Sequence, residues 1–219
     1  MTIKGIVFDF DGLIIDTETP ELKAWQELFK SYNIDFPFQE YIQNIGMTYD
    51  DASAIKILEE RLGRKLDQNA VFQDFKRRKV ALIDEEPLCD GIMDYLETAR
   101  ELGIKVGLAS SAKLEWVGYH IKRKAIEPYF DVVYTVEDAS APKPDPALYT
   151  LTVNTFGLQP HEVIALEDSY NGIQSAKAAG LVAVAVPNPV TKVFDFSQAD
   201  LILDSLADIS LPDLMEKFA

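Results

Sequence analysis

The chain has 219 residues, 47% of them apolar and 26% charged, a balance that excludes a disordered or fibrous class. Its 36 acidic and 21 basic residues leave a net charge of -15, which argues against nucleic acid or an anionic membrane surface as partner. A single cysteine, Cys89, excludes an intramolecular disulfide, and no apolar run approaches the ~20 residues of a membrane helix.

The first element is an apolar run over residues 3–10, β-branched and aromatic, which reads as a buried strand. It opens too early for a signal peptide to precede it, so a cytoplasmic protein is expected. Asp9 and Asp11 stand two residues apart where the run stops, and strand alternation turns both toward one face. Two carboxylates at the end of a buried strand repel each other, and a hard divalent cation such as Mg2+ is the usual remedy.

Helical patterns follow over 20–32, 38–44, 48–62 (stopped by Gly63) and 69–83, with no convincing strand up to Pro87. This block reads as a small helical unit inserted into another fold. From Asp90 helices and strands alternate, the mark of a parallel sheet with right-handed crossovers. Helices are expected over 92–102, 114–124, 146–156 and 172–179, with strands over 105–109, 132–135, 163–166, 182–186 and 201–203 and a terminal helix. The expected fold is α/β, a doubly wound, Rossmann-like parallel sheet over residues 1–16 and 88–219, with a helical cap over 17–87.

Four successive strands finish in polar groups: Asp9 and Asp11, Ser110, the Lys143 loop, and Glu167 with Asp168. A parallel sheet brings these ends to one edge, where carboxylates hold metal and a hydroxyl and an ammonium hold phosphate oxygens. Asp9-Phe10-Asp11-Gly12 with Asp16-Thr17-Glu18, Leu108-Ala109-Ser110, Lys143-Pro144-Asp145-Pro146 and Leu166-Glu167-Asp168-Ser169 occur in that order. In these motifs the chain resembles the haloacid dehalogenase superfamily, in the branch with a helical cap that includes β-phosphoglucomutases and sugar-phosphate phosphatases.

The resemblance implies Asp9 as nucleophile and Asp11 as acid and then base, with Ser110 and Lys143 binding the transferring phosphoryl group. It implies Mg2+ on the carboxylates of Asp9 and Asp168 and the backbone carbonyl of Asp11, with Glu167 in support. Having Asp11, the chain is expected to act on alcohol leaving groups. The reaction it implies is Mg2+-dependent hydrolysis of a small phosphorylated metabolite, with a sugar phosphate as the expected substrate and a monomer as the expected state. A β-phosphoglucomutase-like mutase is the alternative, and a non-catalytic phosphometabolite sensor the reading from another class. Glu21 and Tyr49 stand where the mutases carry a cap histidine and arginine, which favours hydrolysis. The basic run Lys76-Arg77-Arg78-Lys79 reads equally well as cap contacts to an anion or as a solvated helix face. His120 and His161 are expected to be ordinary helix or loop residues.

Overall fold

A computed structural model describes residues 2–38 and 51–219. Along the chain run β1 (Gly5–Phe8), α1 (Glu18–Ser31), α2 (Asp51–Leu62), α3 (Gln68–Glu85), α4 (Ile92–Leu102), β2 (Lys105–Ala109) and α5 (Leu114–Arg123). Then come β3 (Val132–Tyr134), α6 (Ala147–Phe156), β4 (Val163–Glu167), α7 (Tyr170–Ala178), β5 (Val182–Ala185), β6 (Leu201–Ile202) and α8 (Leu211–Lys217). The chain divides into two compact units, Met1–Asp16 with Pro87–Ala219, and Thr17–Glu86.

The larger unit is built on six parallel strands in the order β3-β2-β1-β4-β5-β6. From β1 the chain steps outward through β2 and β3, then returns to β1's other side and continues through β4, β5 and β6. The direction of winding therefore reverses between β1 and β4, the switch point beyond whose carboxyl ends such sheets bind ligands. Phe8 is in register with both Leu108 and Leu166, so β1, β2 and β4 end together.

β1 and β4 are buried at every position, as continuous apolar runs demand in a sheet covered on both faces. On Val7's face, Leu148, Tyr149 and Val153 of α6 and Ile173 and Ala176 of α7 join one core cluster. Phe8, from the opposite face, meets Phe130 edge-on at 6.2 Å. The apolar stripe of α4 (Ile92, Tyr95, Leu96 and Ala99) is buried as well. Burial of each large apolar side chain contributes about 1.5–3 kcal/mol, so these layers hold the strand ends in place.

β1 is shorter than the apolar run that predicts it, because pairing stops at Phe8. The Asp9 N–H still donates to the Leu166 carbonyl at 3.0 Å. α7 begins at Tyr170, ahead of the expected residue 172, because Ser169 Oγ accepts the Gly172 N–H at 3.0 Å and caps the helix. Cys89 is half-buried, and burial with Asp16 beside it pushes its thiol up to about 12, which disfavours the thiolate.

In the smaller unit Trp25 of α1 stacks on Phe75 of α3 with centroids 3.8 Å apart, and Phe29 meets Phe36 edge-on at 5.1 Å. Ala54, Ile55 and Leu58 of α2 complete this core. Asp67 caps α3 by accepting the Ala70 N–H at 3.1 Å. Three residues of the basic run on α3 are engaged in ion pairs. Arg77 and Arg78 both pair with Asp74, Arg78 also approaches Glu27 at 3.8 Å, and Lys79 pairs with Glu21. The acid at position 21 therefore carries its own counter-charge. The expected helix over 38–44 and the loop containing Tyr49 lie outside the described residues, apart from Phe38.

Candidate active site

Asp9 follows β1, Glu167 ends β4, and Asp168 comes next; the pairing of Phe8 with Leu166 sets Asp9 beside Glu167. Asp9, Glu167 and Asp168 are all buried, and each offers a carboxylate oxygen within 4.8 Å of the others. Lys143 enters this trio from the loop after β3. Its Nζ donates to Asp9 Oδ1 at 2.5 Å, Glu167 Oε1 at 2.5 Å and the Ala109 carbonyl at 2.7 Å. The ammonium also lies 4.9 Å from the centroid of the Tyr149 ring. Only 5% of the Lys143 side chain is exposed, so it is not a solvated loop charge. The loop is fixed from two sides: the Lys143 N–H donates to Ser111 Oγ at 3.1 Å, and Ser175 Oγ donates to the Asp145 carbonyl at 2.7 Å.

Burial, together with the charge of Glu167, raises the Asp9 carboxyl to about 8 despite the opposing pull of Lys143. Burial alone would lower Lys143, but Asp9 and Glu167 outweigh it and hold the ammonium above its usual range. Three buried carboxylates thus face one buried cation. That deficit of positive charge fits a hard divalent ion with oxygen ligands.

The carboxylates divide the work. Glu167 Oε1 accepts from Lys143 and from the Tyr149 hydroxyl, 2.5 Å away, and Oε2 accepts from Ser169 Oγ at 3.2 Å. Both Glu167 oxygens are thus engaged within the protein, which leaves Asp9 and Asp168 as the side chains better placed to hold an ion. Asp168 Oδ2 accepts from Asn188 Nδ2 at 2.7 Å. Asn188 is itself locked, its Oδ1 accepting the Val190 and Thr191 N–H groups at 2.9 and 3.0 Å. Gly12 closes the box. Its φ is +80°, and a Cβ there would stand 2.1 Å from Asp168 Oδ2.

Asp11 does not join the trio. Strand alternation ends with β1 at Phe8, and beyond it the chain turns through Gly12. The Asp11 carboxylate instead accepts the indole N–H of Trp116, Nε1 to Oδ1 2.8 Å. Ser110 is buried at the end of β2, where its Oγ accepts the Ala112 N–H at 3.0 Å and shapes the turn into α5. Asp9, Lys143, Glu167 and Asp168 are thus brought together, while Asp11 and Ser110 make their hydrogen bonds with α5 and its approach. His120, an expected helix residue, is fully buried in α5 against Trp116 and Phe10.

Trp116, Tyr149 and Asn188 are not reached by reading motifs. Asn188 carried a usable signal: it follows β5 within Pro187-Asn188-Pro189, at the same sheet edge as the other polar strand ends. Tyr149 and Trp116 carried none, since each sits where an amphipathic helix would place an aromatic residue for packing alone.

Residues 6–186 match the family described as haloacid dehalogenase-like hydrolase. The chain is 38% identical over 214 residues to YhcW of Bacillus subtilis (strain 168), which covers 98% of this chain and 97% of that protein. It is 30% identical over 183 residues to a phosphorylated carbohydrates phosphatase of Thermotoga maritima, covering 82% of each. Among solved structures, CbbY of Rhodobacter sphaeroides in complex with phosphate superposes with a TM-score of 0.73 at 27% identity, covering 97% of this chain and 99% of that one. With the match running from the first residues of β1 past the end of β5, this chain belongs to the haloacid dehalogenase-like hydrolase family.

Proposed function

We propose that this chain is a Mg2+-dependent phosphatase that hydrolyses a small phosphorylated carbohydrate through an aspartyl-phosphate on Asp9. The observation that carries this reading is the buried trio of Asp9, Glu167 and Asp168 bridged by Lys143. The Thermotoga relative's name supports the substrate class, and the similarity to CbbY, solved with phosphate, supports the group transferred. Residues 17–86 are proposed as the family's cap domain. A monomer in the cytoplasm belongs to the same reading.

In the proposed reaction a carboxylate oxygen of Asp9 attacks phosphorus, and the bond from phosphorus to the leaving oxygen breaks with its electron pair on that oxygen. Asp11 supplies the proton that makes the leaving group an alcohol. Water then attacks the phosphorus and gives a proton to Asp11; the bond to Asp9 breaks, its electron pair returns to the carboxylate, and orthophosphate leaves. Lys143 favours the charged form of Asp9 against the effect of burial and offsets charge on the phosphoryl group, with Ser110 beside it. Mg2+ on Asp9, Asp168 and the Asp11 carbonyl would supply the remaining charge neutralisation. Buried and short of cations, the site makes such neutralisation strong where the chain's net -15 would otherwise repel an anion.

The test is orthophosphate release from a panel of sugar phosphates, with Mg2+ and with excess chelator. Release should stop with chelator and with Asp9→Asn, which keeps the side chain's size. Substantial turnover by Asp9→Asn would remove Asp9 as nucleophile. Incubation with β-glucose 1-phosphate and trace glucose 1,6-bisphosphate separates the mutase: rapid glucose 6-phosphate with little free phosphate would replace the hydrolase reading.

A further inference from the structure

Asp11 and Trp116 are 105 positions apart and joined by one hydrogen bond of 2.8 Å. Trp116 lies in the first turn of α5, whose start is pinned twice. The Leu114 N–H donates to Glu137 Oε2 at 2.8 Å, and the Trp116 N–H donates to the Lys113 carbonyl at 3.0 Å. The indole ring stands edge-on to buried His120 at 4.3 Å, and His120 lies 6.0 Å from the ring of Phe10, the residue before Asp11. The loop carrying Asp11 and the side chain holding it are therefore clamped through the same buried ring.

We propose that Trp116 is the positioning residue for Asp11: its indole N–H holds Oδ1 and so fixes the orientation in which the carboxyl group exchanges protons with leaving group and water. The inference rests on the assignment of Asp11 as acid and base above. An indole N–H donates and cannot accept, so Trp116 never competes for the proton being moved. In a protonated carboxyl the carbonyl oxygen is the better acceptor and the hydroxyl oxygen the donor, so a donor at Oδ1 keeps the acidic proton off that oxygen. The terminal torsion of an aspartate is otherwise broad and nearly two-fold, and the two oxygens would interchange. Fixing one of them selects the orientation in which the proton meets the leaving oxygen.

The test varies the leaving group. Trp116→Phe keeps an aromatic ring against His120 and removes only the N–H. With Mg2+, kcat/KM is measured for 4-nitrophenyl, phenyl and benzyl phosphate, because kcat/KM covers only the steps through phosphorylation of Asp9. The variant's loss should grow with leaving-group basicity, reaching about tenfold for benzyl phosphate and staying within about twofold for 4-nitrophenyl phosphate. An equal loss on all three esters, or no loss on benzyl phosphate, overturns the inference while leaving the phosphatase reading intact. A wild-type protein inactive on every ester overturns both. A second measurement avoids turnover altogether. In the Trp25→Phe background the one remaining indole N–H NMR signal belongs to Trp116, and Asp11→Ala should move it upfield. An unmoved signal overturns the contact itself.

Discussion

A Cβ added to Gly172 would stand 1.9 Å from the carboxyl carbon of Glu167. Glycine in a helix ordinarily costs up to ~1 kcal/mol relative to alanine, so on propensity alone Gly172→Ala would stabilise α7. The clash decides the sign the other way. Glu167 is held by Lys143, Tyr149 and Ser169, so it can yield only by giving up those hydrogen bonds. Gly172→Ala should lower stability by about 1–3 kcal/mol. It should also reduce phosphate release at least about tenfold, as Glu167 is displaced from Lys143. Urea unfolding and an orthophosphate assay check the two effects, and an alanine variant as stable as wild type would show that Glu167 can move.

Tyr149→Phe keeps the ring beneath Lys143 and removes the hydroxyl that donates to Glu167 Oε1. Leaving a buried carboxylate one donor short costs about 1–3 kcal/mol. The urea midpoint should fall with the slope unchanged, since the surface exposed on unfolding stays the same.

Asn188→Ala removes the donor to Asp168 Oδ2 and the acceptor that fixes residues 190 and 191. A metal ligand that loses its orienting partner typically binds its ion ~10–100-fold more weakly. Calorimetric titration of the variant with Mg2+ should show that weakening, and unchanged affinity would mean that Gly12 and the backbone suffice to orient Asp168.

The smaller unit provides a pH prediction. The Leu66 N–H, foremost, and Lys65 and Gln68 donate to Glu59 and hold its carboxyl below the ordinary value of 4.5. A lowered folded pKa means that the unfolded chain takes up the proton first. The stability due to Glu59 is therefore present above pH 4.5 and lost as pH falls through the folded value. Thermal unfolding of Glu59→Gln should show a lower Tm than wild type at pH 7 and a smaller difference near pH 3. A difference that persists undiminished at pH 3 would point to packing in place of charge.

Much of the fold was legible because it follows from local rules. Continuous apolar runs specify buried strands, and Gly103 and Gly157 stop α4 and α6 in left-handed caps. Alternation of helix and strand implies parallel order, and that order alone brings Asp9, Lys143, Glu167 and Asp168 to one edge. The ambiguous charges were a different case. Residues 76–79 read equally as ligand contacts or solvated face until Asp74, Glu27 and Glu21 are found pairing with Arg77, Arg78 and Lys79, while Lys76 is exposed. Glu21 and Lys79 are separated by 58 residues, and no periodicity links them.

By itself, then, the sequence determined which elements form along the chain, that the sheet is parallel and the residue types at the strand ends, because period and turn chemistry act over a few neighbours. Only the tertiary structure decided where each side chain is aimed. Asp11 turns to Trp116 because the strand ends at Phe8 and its alternation with it. Glu167 has its oxygens claimed by Tyr149 and Ser169, and Asp168 is oriented by Asn188 on the next strand's loop. Such pairings depend on distances between elements brought together by core packing, and hydrogen bonds are selective over tenths of an ångström.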